Sequence, residues 1–174
     1  INLKDQGKFI NFLKYIACLT GQELSVDNVS KESGISRQTI ESWINILVAG
    51  DIIRLLQPYN EDSIKQRVVQ RSKIFFNDTG LACYLIGIKN EQEFAHSNFK
   101  GHLIETYIHN EIRKSLINNG VVDVDHKMFY YRDTNKNEID LILFHNGGLN
   151  LIEFKSTSNP GLSVVINFKQ LLSS

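Results

Sequence analysis

The chain has 174 residues, 42% of them hydrophobic and 22% charged, a composition that excludes a disordered or fibrous protein. Nineteen Lys and Arg balance nineteen Asp and Glu, so the surplus of positive charge common in strong nucleic-acid binders is absent. No apolar run reaches the roughly eighteen residues of a membrane span, and no secretory leader pattern opens the sequence.

From about Gln6 to Thr20 the apolar residues Phe9, Phe12, Leu13, Ile16, Ala17 and Leu19 follow a helical rhythm. The chain begins at Ile1 without a methionine and is already in this pattern by Lys8, as expected of a piece of a longer protein. A second helix is predicted over Val26–Ser33, entered through Ser25. Gly34, Ile35 and Ser36 then supply a tight turn and a cap for a third helix, Arg37–Ala49, with Ile40, Ile44, Leu47 and Val48 on its apolar face. This is a helix-turn-helix. Ser36, Arg37, Gln38 and Thr39 occupy the exposed start of its second helix, where DNA-reading versions present side chains to base edges. Arg and Gln suit bidentate base contacts. After Gly50, two strand-like runs, Ile52–Leu56 and Val68–Phe76, flank a segment with Pro58, Asn60 and a charge cluster. That is the plan of a winged helix, with Lys65, Arg67, Arg71 and Lys73 on the wing against Glu61 and Asp62. Over residues 1–80, ten basic residues face nine acidic ones, so DNA contact and protein docking stand as equal readings of this module.

Asp78-Thr79-Gly80-Leu81 reads as a turn into a short helix through Leu85, and Lys89–Asn98 as a linker or short helix. Cys18 and Cys83 sit in apolar helical patterns without metal-ligand spacing, as buried thiols in a reducing cytoplasm do. From Gly101 to Asn119 a helix is predicted on Ile104, Ile108, Ile112 and Leu116, closed by Gly120, with Glu105 on the flank of its stripe. Three strand-like runs follow: Lys127–Arg132, Glu138–His145 and Leu149–Lys155. The last two are joined by Asn146-Gly147, a strong hairpin signal. A two-residue loop there pairs His145 with Gly148, so paired positions sum to 293 and Asp140 falls opposite Glu153. Directly paired carbons lie roughly 4.5–5.5 Å apart, so two carboxylates in these places repel unless a cation stands between them. Alternation adds Lys155 to the same face and sends Ile152 and Phe154 to the other. Apolar neighbours cover both faces, which makes the charged trio costly unless it has a purpose. The simpler alternative is a satisfied carboxylate–lysine pair at a sheet edge.

Glu105 on a helix, Asp140 in one strand and Glu153-Phe154-Lys155 in the next resemble the PD-(D/E)XK nuclease superfamily. Its helix–strand–strand–strand–helix core fits if Val165–Leu172 begins the final helix. The resemblance implies that Asp140 and Glu153 hold Mg²⁺, that Lys155 orients or activates the attacking water, and that Glu105 supports the metal. Gly34–Thr39, Phe76–Leu81, Gly101-x-x-x-Glu105, Tyr131-Arg132 and Glu138-Ile139-Asp140 are similar to one bacterial and archaeal family. Its members carry an AAA-type ATPase module followed by a domain of unknown function. Two departures stand out. The chain has no phosphate-binding loop, so no ATP site is expected and the ATPase module is a missing partner. Asn137 replaces a glycine before Glu138-Ile139-Asp140 and is expected to take the same left-handed turn.

The expected architecture is thus mixed α+β or α/β: an N-terminal winged helix over residues 1–80, a linker or short helix over 81–99, and a restriction-endonuclease-like mixed sheet flanked by helices over 100–174. The leading functional reading is a cytoplasmic Mg²⁺-dependent phosphodiesterase acting on DNA. A non-catalytic nucleic-acid-binding module and a docking surface for the ATPase are the alternatives. His96, His102, His109, His126 and His145 show no zinc spacing, and no serine carries a nucleophile-elbow pattern. Tyr130, Tyr131 and Arg132 are candidates for nucleic-acid stacking, with core packing the expected role of at least one tyrosine.

Overall fold

In the computed structural model, which describes residues 5–59, 71–134 and 136–155, helix starts fall where polar side chains can close them. After α1 (Gln6–Cys18) and the two-residue strand β1 (Gln22–Glu23), Ser25 accepts the Asn28 N–H ahead of α2 (Val26–Ser33). Ser36 accepts the Thr39 N–H ahead of α3 (Arg37–Ala49). Beyond β2 (Ile53–Pro58) and β3 (Lys73–Phe76), Asp78 caps α4 (Thr79–Ile86) and Asn90 caps α5 (Glu91–His96). Each cap satisfies a backbone donor that has no partner within its own helix. The chain is a mixed α+β protein. Among the described residues, no helix is long and apolar enough to cross a membrane.

The described residues divide into two compact units, one from 5–55 and 74–110, the other from 56–59, 71–73, 111–134 and 136–155. In the first, the strand order is β1-β3-β2. Its core gathers Phe12, Ile16, Ile40, Ile44, Leu47 and Phe76, and Trp43 packs 5.1 and 5.2 Å from the rings of Phe9 and Phe12. Val48, expected on the apolar face of α3, is exposed instead, because the face that turns inward runs through Ile40, Ile44 and Leu47. Gly21 adopts a positive φ of 73° and lies so close to α6 (Lys100–Asn118) that a Cβ would stand 3.1 Å from the His102 carbonyl oxygen. A side chain would be excluded there on both counts.

The helix α6 departs most from expectation. Its buried positions include Leu103, Thr106, His109 and Asn110, while Ile104, Ile108 and Ile112 are only half-buried. A strict spacing of four drifts about 40° per step around a helix of 3.6 residues per turn, so the isoleucine stripe slides off the inward face. The polar residues that replace it are held by specific bonds. Thr106 Oγ1 lies 3.0 Å from Thr20 Oγ1, and Asn110 Oδ1 accepts from Arg54 at 2.6 Å. Asn110 Nδ2 donates to the carbonyls of Phe76 and Asn77 at 2.8 and 3.2 Å. The Arg54 guanidinium lies 4.8 Å over the Phe75 ring.

In the second unit the order is β2-β4-β5-β6, with β4 (Met128–Arg132), β5 (Glu138–His145) and β6 (Gly148–Ile152). Gln57 and Pro58 of β2 run parallel to Phe129 and Tyr130 of β4, and the other pairings are antiparallel. A small cluster of Tyr59, Tyr131, Ile139 and Ile142, with Phe129, Leu149 and Leu151 against it, covers one face. The structure adds β1 and a short 3-10 turn, Val124–His126, to the predicted elements. It also ends the last strand at Ile152 rather than Lys155. The anticipated final helix, Val165–Leu172, lies outside the described residues.

Asn110 is one of the residues that seat α6 in the first unit. Replacing it by Ala removes three hydrogen bonds at a buried site and is expected to cost about 3 kcal/mol. Ile117→Ala, at an exposed position of the same helix, is expected to cost under about 0.5 kcal/mol. Urea unfolding followed by Trp43 fluorescence measures both.

Candidate functional site

The site is built on a hairpin whose turn has one comfortable conformation. Asn146 and Gly147 both adopt positive φ, 53° and 74°, as a two-residue turn matching the strand twist requires. Pairing then runs His145↔Gly148, Phe144↔Leu149, Leu143↔Asn150, Ile142↔Leu151 and Leu141↔Ile152. The register expected from the sequence holds, and continuing it by one residue sets Glu153 opposite Asp140. The ladder ends there in a different contact: the Phe154 N–H donates to Asp140 Oδ2 at 2.7 Å. Lys155 closes the group, with Nζ 2.5 Å from Glu153 Oε1.

The other edge of β5 is irregular. Phe129 pairs with Ile142 but Tyr131 pairs with Ile139, so Asp140 and Leu141 together oppose Tyr130. One extra residue in a strand breaks its alternation and re-aims the side chains beside it. This explains why Ile139 and Ile142, three apart, share one apolar cluster. The bulge thus includes Asp140. The turn before β5 also differs from expectation. Lys136, not Asn137, takes the left-handed conformation, with φ 66°. Asn137 is held instead by the Asp133 carboxylate, which accepts from its backbone N–H at 2.9 Å and its side-chain amide at 2.8 Å.

Charge at the site follows from burial. Desolvation pushes the Asp140 carboxyl up from 3.8 to about 6; the Phe154 N–H opposes the rise, and the Glu153 carboxylate adds to it. Glu153 is itself 7% exposed. One of its oxygens is taken by Lys155, while Oε2 is buried without a hydrogen-bond partner among the described residues. The bond to Glu153 raises the Lys155 pKa, which keeps its side chain an ammonium: a donor that can orient a water rather than take its proton.

These residues fit a magnesium ion, which needs only one or two carboxylates together with waters and phosphate oxygens. The buried, unsatisfied Glu153 Oε2 is the acceptor such an ion would meet. Among the described residues no three His, Cys, Asp or Glu side chains gather into a ready-made metal cluster. Glu105 lies half-buried on α6 in the first unit, whereas Asp140, Glu153 and Lys155 belong to the second.

The residues considered for DNA contact are distributed unevenly. Ser36, Arg37 and Gln38 are exposed at the start of α3, with Thr39 half-buried beside them. Arg37 is already engaged, 2.6 Å from Asp27 and 2.9 Å from Glu41. Ser36 Oγ lies 2.8 Å from Thr39 Oγ1. Arg71 is exposed, and its carbonyl accepts from the Tyr130 hydroxyl. Lys73 is buried and paired with Glu138; Lys65 and Arg67 lie outside the described residues. Tyr130 and Tyr131 are both buried, so their rings serve packing. The Lys73–Glu138 pair is the feature that the sequence reading missed. Its one local signal is that Glu138 sits two residues before Asp140 in the same strand.

Residues 1–92, more than half of the chain, match the family model of a domain of unknown function, DUF8612, and the chain belongs to that family. Residues 100–174 match a second domain of unknown function, DUF4143, which is associated with AAA-type ATPases. No curated protein and no solved structure matches the chain.

The Asp140 carboxyl binds its proton more tightly in the folded chain than in the unfolded one. Its stabilising contribution is therefore complete below about pH 4 and lost as pH rises through about 6. With allowance for solvent screening at a half-buried site, the loss by pH 7.5 is about 2 kcal/mol. Asp140→Asn, which keeps an acceptor for Phe154, is expected to raise the melting temperature at pH 7.5 and to leave it unchanged at pH 4. Thermal unfolding at the two pH values checks this.

Proposed function

We propose that the chain is the C-terminal region of an AAA-type ATPase-family protein and that its second unit is a Mg²⁺-dependent phosphodiesterase acting on DNA. The observation that carries this reading is the juxtaposition of Asp140, Glu153 and Lys155 at the end of the hairpin, with a buried carboxylate oxygen left unsatisfied. A magnesium ion bound there would supply charge stabilisation at the scissile phosphate and an activated water. Asp140 and Glu153 would hold the ion, and Lys155, kept charged by Glu153, would orient the water along its donor. The match to a domain associated with AAA-type ATPases supports the placement beside an ATPase, and a cytoplasmic location is part of the proposal.

The order helix, strand, helix, helix, strand, strand in the first unit supports a winged-helix reading with α3 as the DNA-facing helix. A second reading is favoured by the charges. Arg37 is neutralised by Asp27 and Glu41, which suits a docking face for the ATPase better than a phosphate-binding one.

Incubation of the full chain with single- and double-stranded DNA and Mg²⁺ or Mn²⁺ tests the first reading. Asp140→Ala and Glu153→Ala are each expected to lower cleavage about a thousandfold, the scale of a lost metal ligand. No cleavage by the parent, or equal cleavage by the variants, would sink the enzyme. Arg37→Ala is expected to weaken DNA binding a few-fold and to flatten its salt dependence. DNA affinity indifferent to Arg37 and to salt would instead support docking.

A further inference from the structure

Lys73 and Lys155 answer carboxylates of β5 and of the segment after β6, and they differ in freedom. Lys155 is 41% exposed and can leave Glu153 for water. Lys73 is 3% exposed, with Nζ 2.5 Å from Glu138 Oε1 and 5.3 Å from the centre of the Tyr130 ring. A buried ammonium is costly unless opposite charge and an aromatic face replace its water, and Lys73 has both. Glu138 is also approached by the Arg132 guanidinium at 4.0 Å. Glu138 stands two residues from Asp140 in β5, which sets the fixed positive charge of Lys73 on the strand that carries Asp140.

We propose that Lys73 is a resident cation beside the metal carboxylates, a positioning residue that engages Glu138 and limits how tightly Asp140 and Glu153 hold a divalent ion. The inference rests on the metal-site reading above. An incoming dication meets a like charge that cannot move away, and Glu138 is withheld as a third carboxylate ligand. Binding by the protein alone is therefore weak, and firm occupancy waits for the phosphate oxygens of a substrate.

Mn²⁺ titration of the full chain, read from the paramagnetic resonance signal of the free ion, tests this without any turnover. Lys73→Met is expected to tighten Mn²⁺ binding about tenfold, the scale of removing one unit charge that acts on a divalent ion across several ångströms. Adding Glu138→Gln to that variant restores the net charge, and the affinity is expected to return to within about twofold of the parent. A folded Lys73→Met with unchanged or weaker affinity would overturn the proposal. Should that variant fail to fold by circular dichroism, Glu138→Gln alone decides. It is expected to weaken Mn²⁺ binding, and equal or tighter binding overturns the proposal. The underlying reading is judged separately: equal Mn²⁺ binding by the parent and Asp140→Ala removes the metal site itself. Absence of Mn²⁺ binding in the parent and in every variant removes both.

Discussion

Two residues of left-handed backbone at the tip of one hairpin determine which side chains meet in the second unit. With Asn146 and Gly147 as the whole of the turn, every pair along β5 and β6 is fixed, and a slip of one position would send Glu153 away from Asp140. The register alone would give two repelling acids on a regular ladder. The bulge on the opposite edge of β5 breaks that ladder's alternation at Asp140 and Leu141. Tyr130, buried opposite the bulge, fills the space on the neighbouring strand and presents its ring to Lys73.

What was legible in the sequence is what is decided locally. Ser25, Ser36 and Asp78 mark helix starts because a cap needs only the next three residues, and α2 and α3 have the boundaries the sequence predicts. The hairpin was legible for the same reason. The bulge was not, because it is a disagreement between two strands and has no signature in either alone. Nor was the burial of Lys73. A lysine beside Arg71 and a run of charges reads as a solvated wing, and only the pairing of β2 with β4 and the position of Glu138 give that ammonium its partner.

The electrostatics of the two units share one trait: their conspicuous cations are already engaged. Arg37 is held between Asp27 and Glu41, Lys73 by Glu138, Arg113 by Asp125 and Lys155 by Glu153. A balanced total of nineteen against nineteen is therefore repeated at the scale of individual side chains. A polyanion that engages these cations must displace their partners. The exposed ones yield at little cost, since such pairs are worth about 0–1 kcal/mol, whereas the buried Lys73 pair does not.

The polar seat of α6 has a consequence for mechanics. Apolar contacts tolerate sliding, because one methyl serves nearly as well as the next, but the bonds of Thr106 and Asn110 to Thr20, Arg54 and two strand-end carbonyls are satisfied in one rotation and one height of the helix. A pull or twist delivered along α6 would therefore be resisted like a keyed shaft, up to the load at which those bonds fail together.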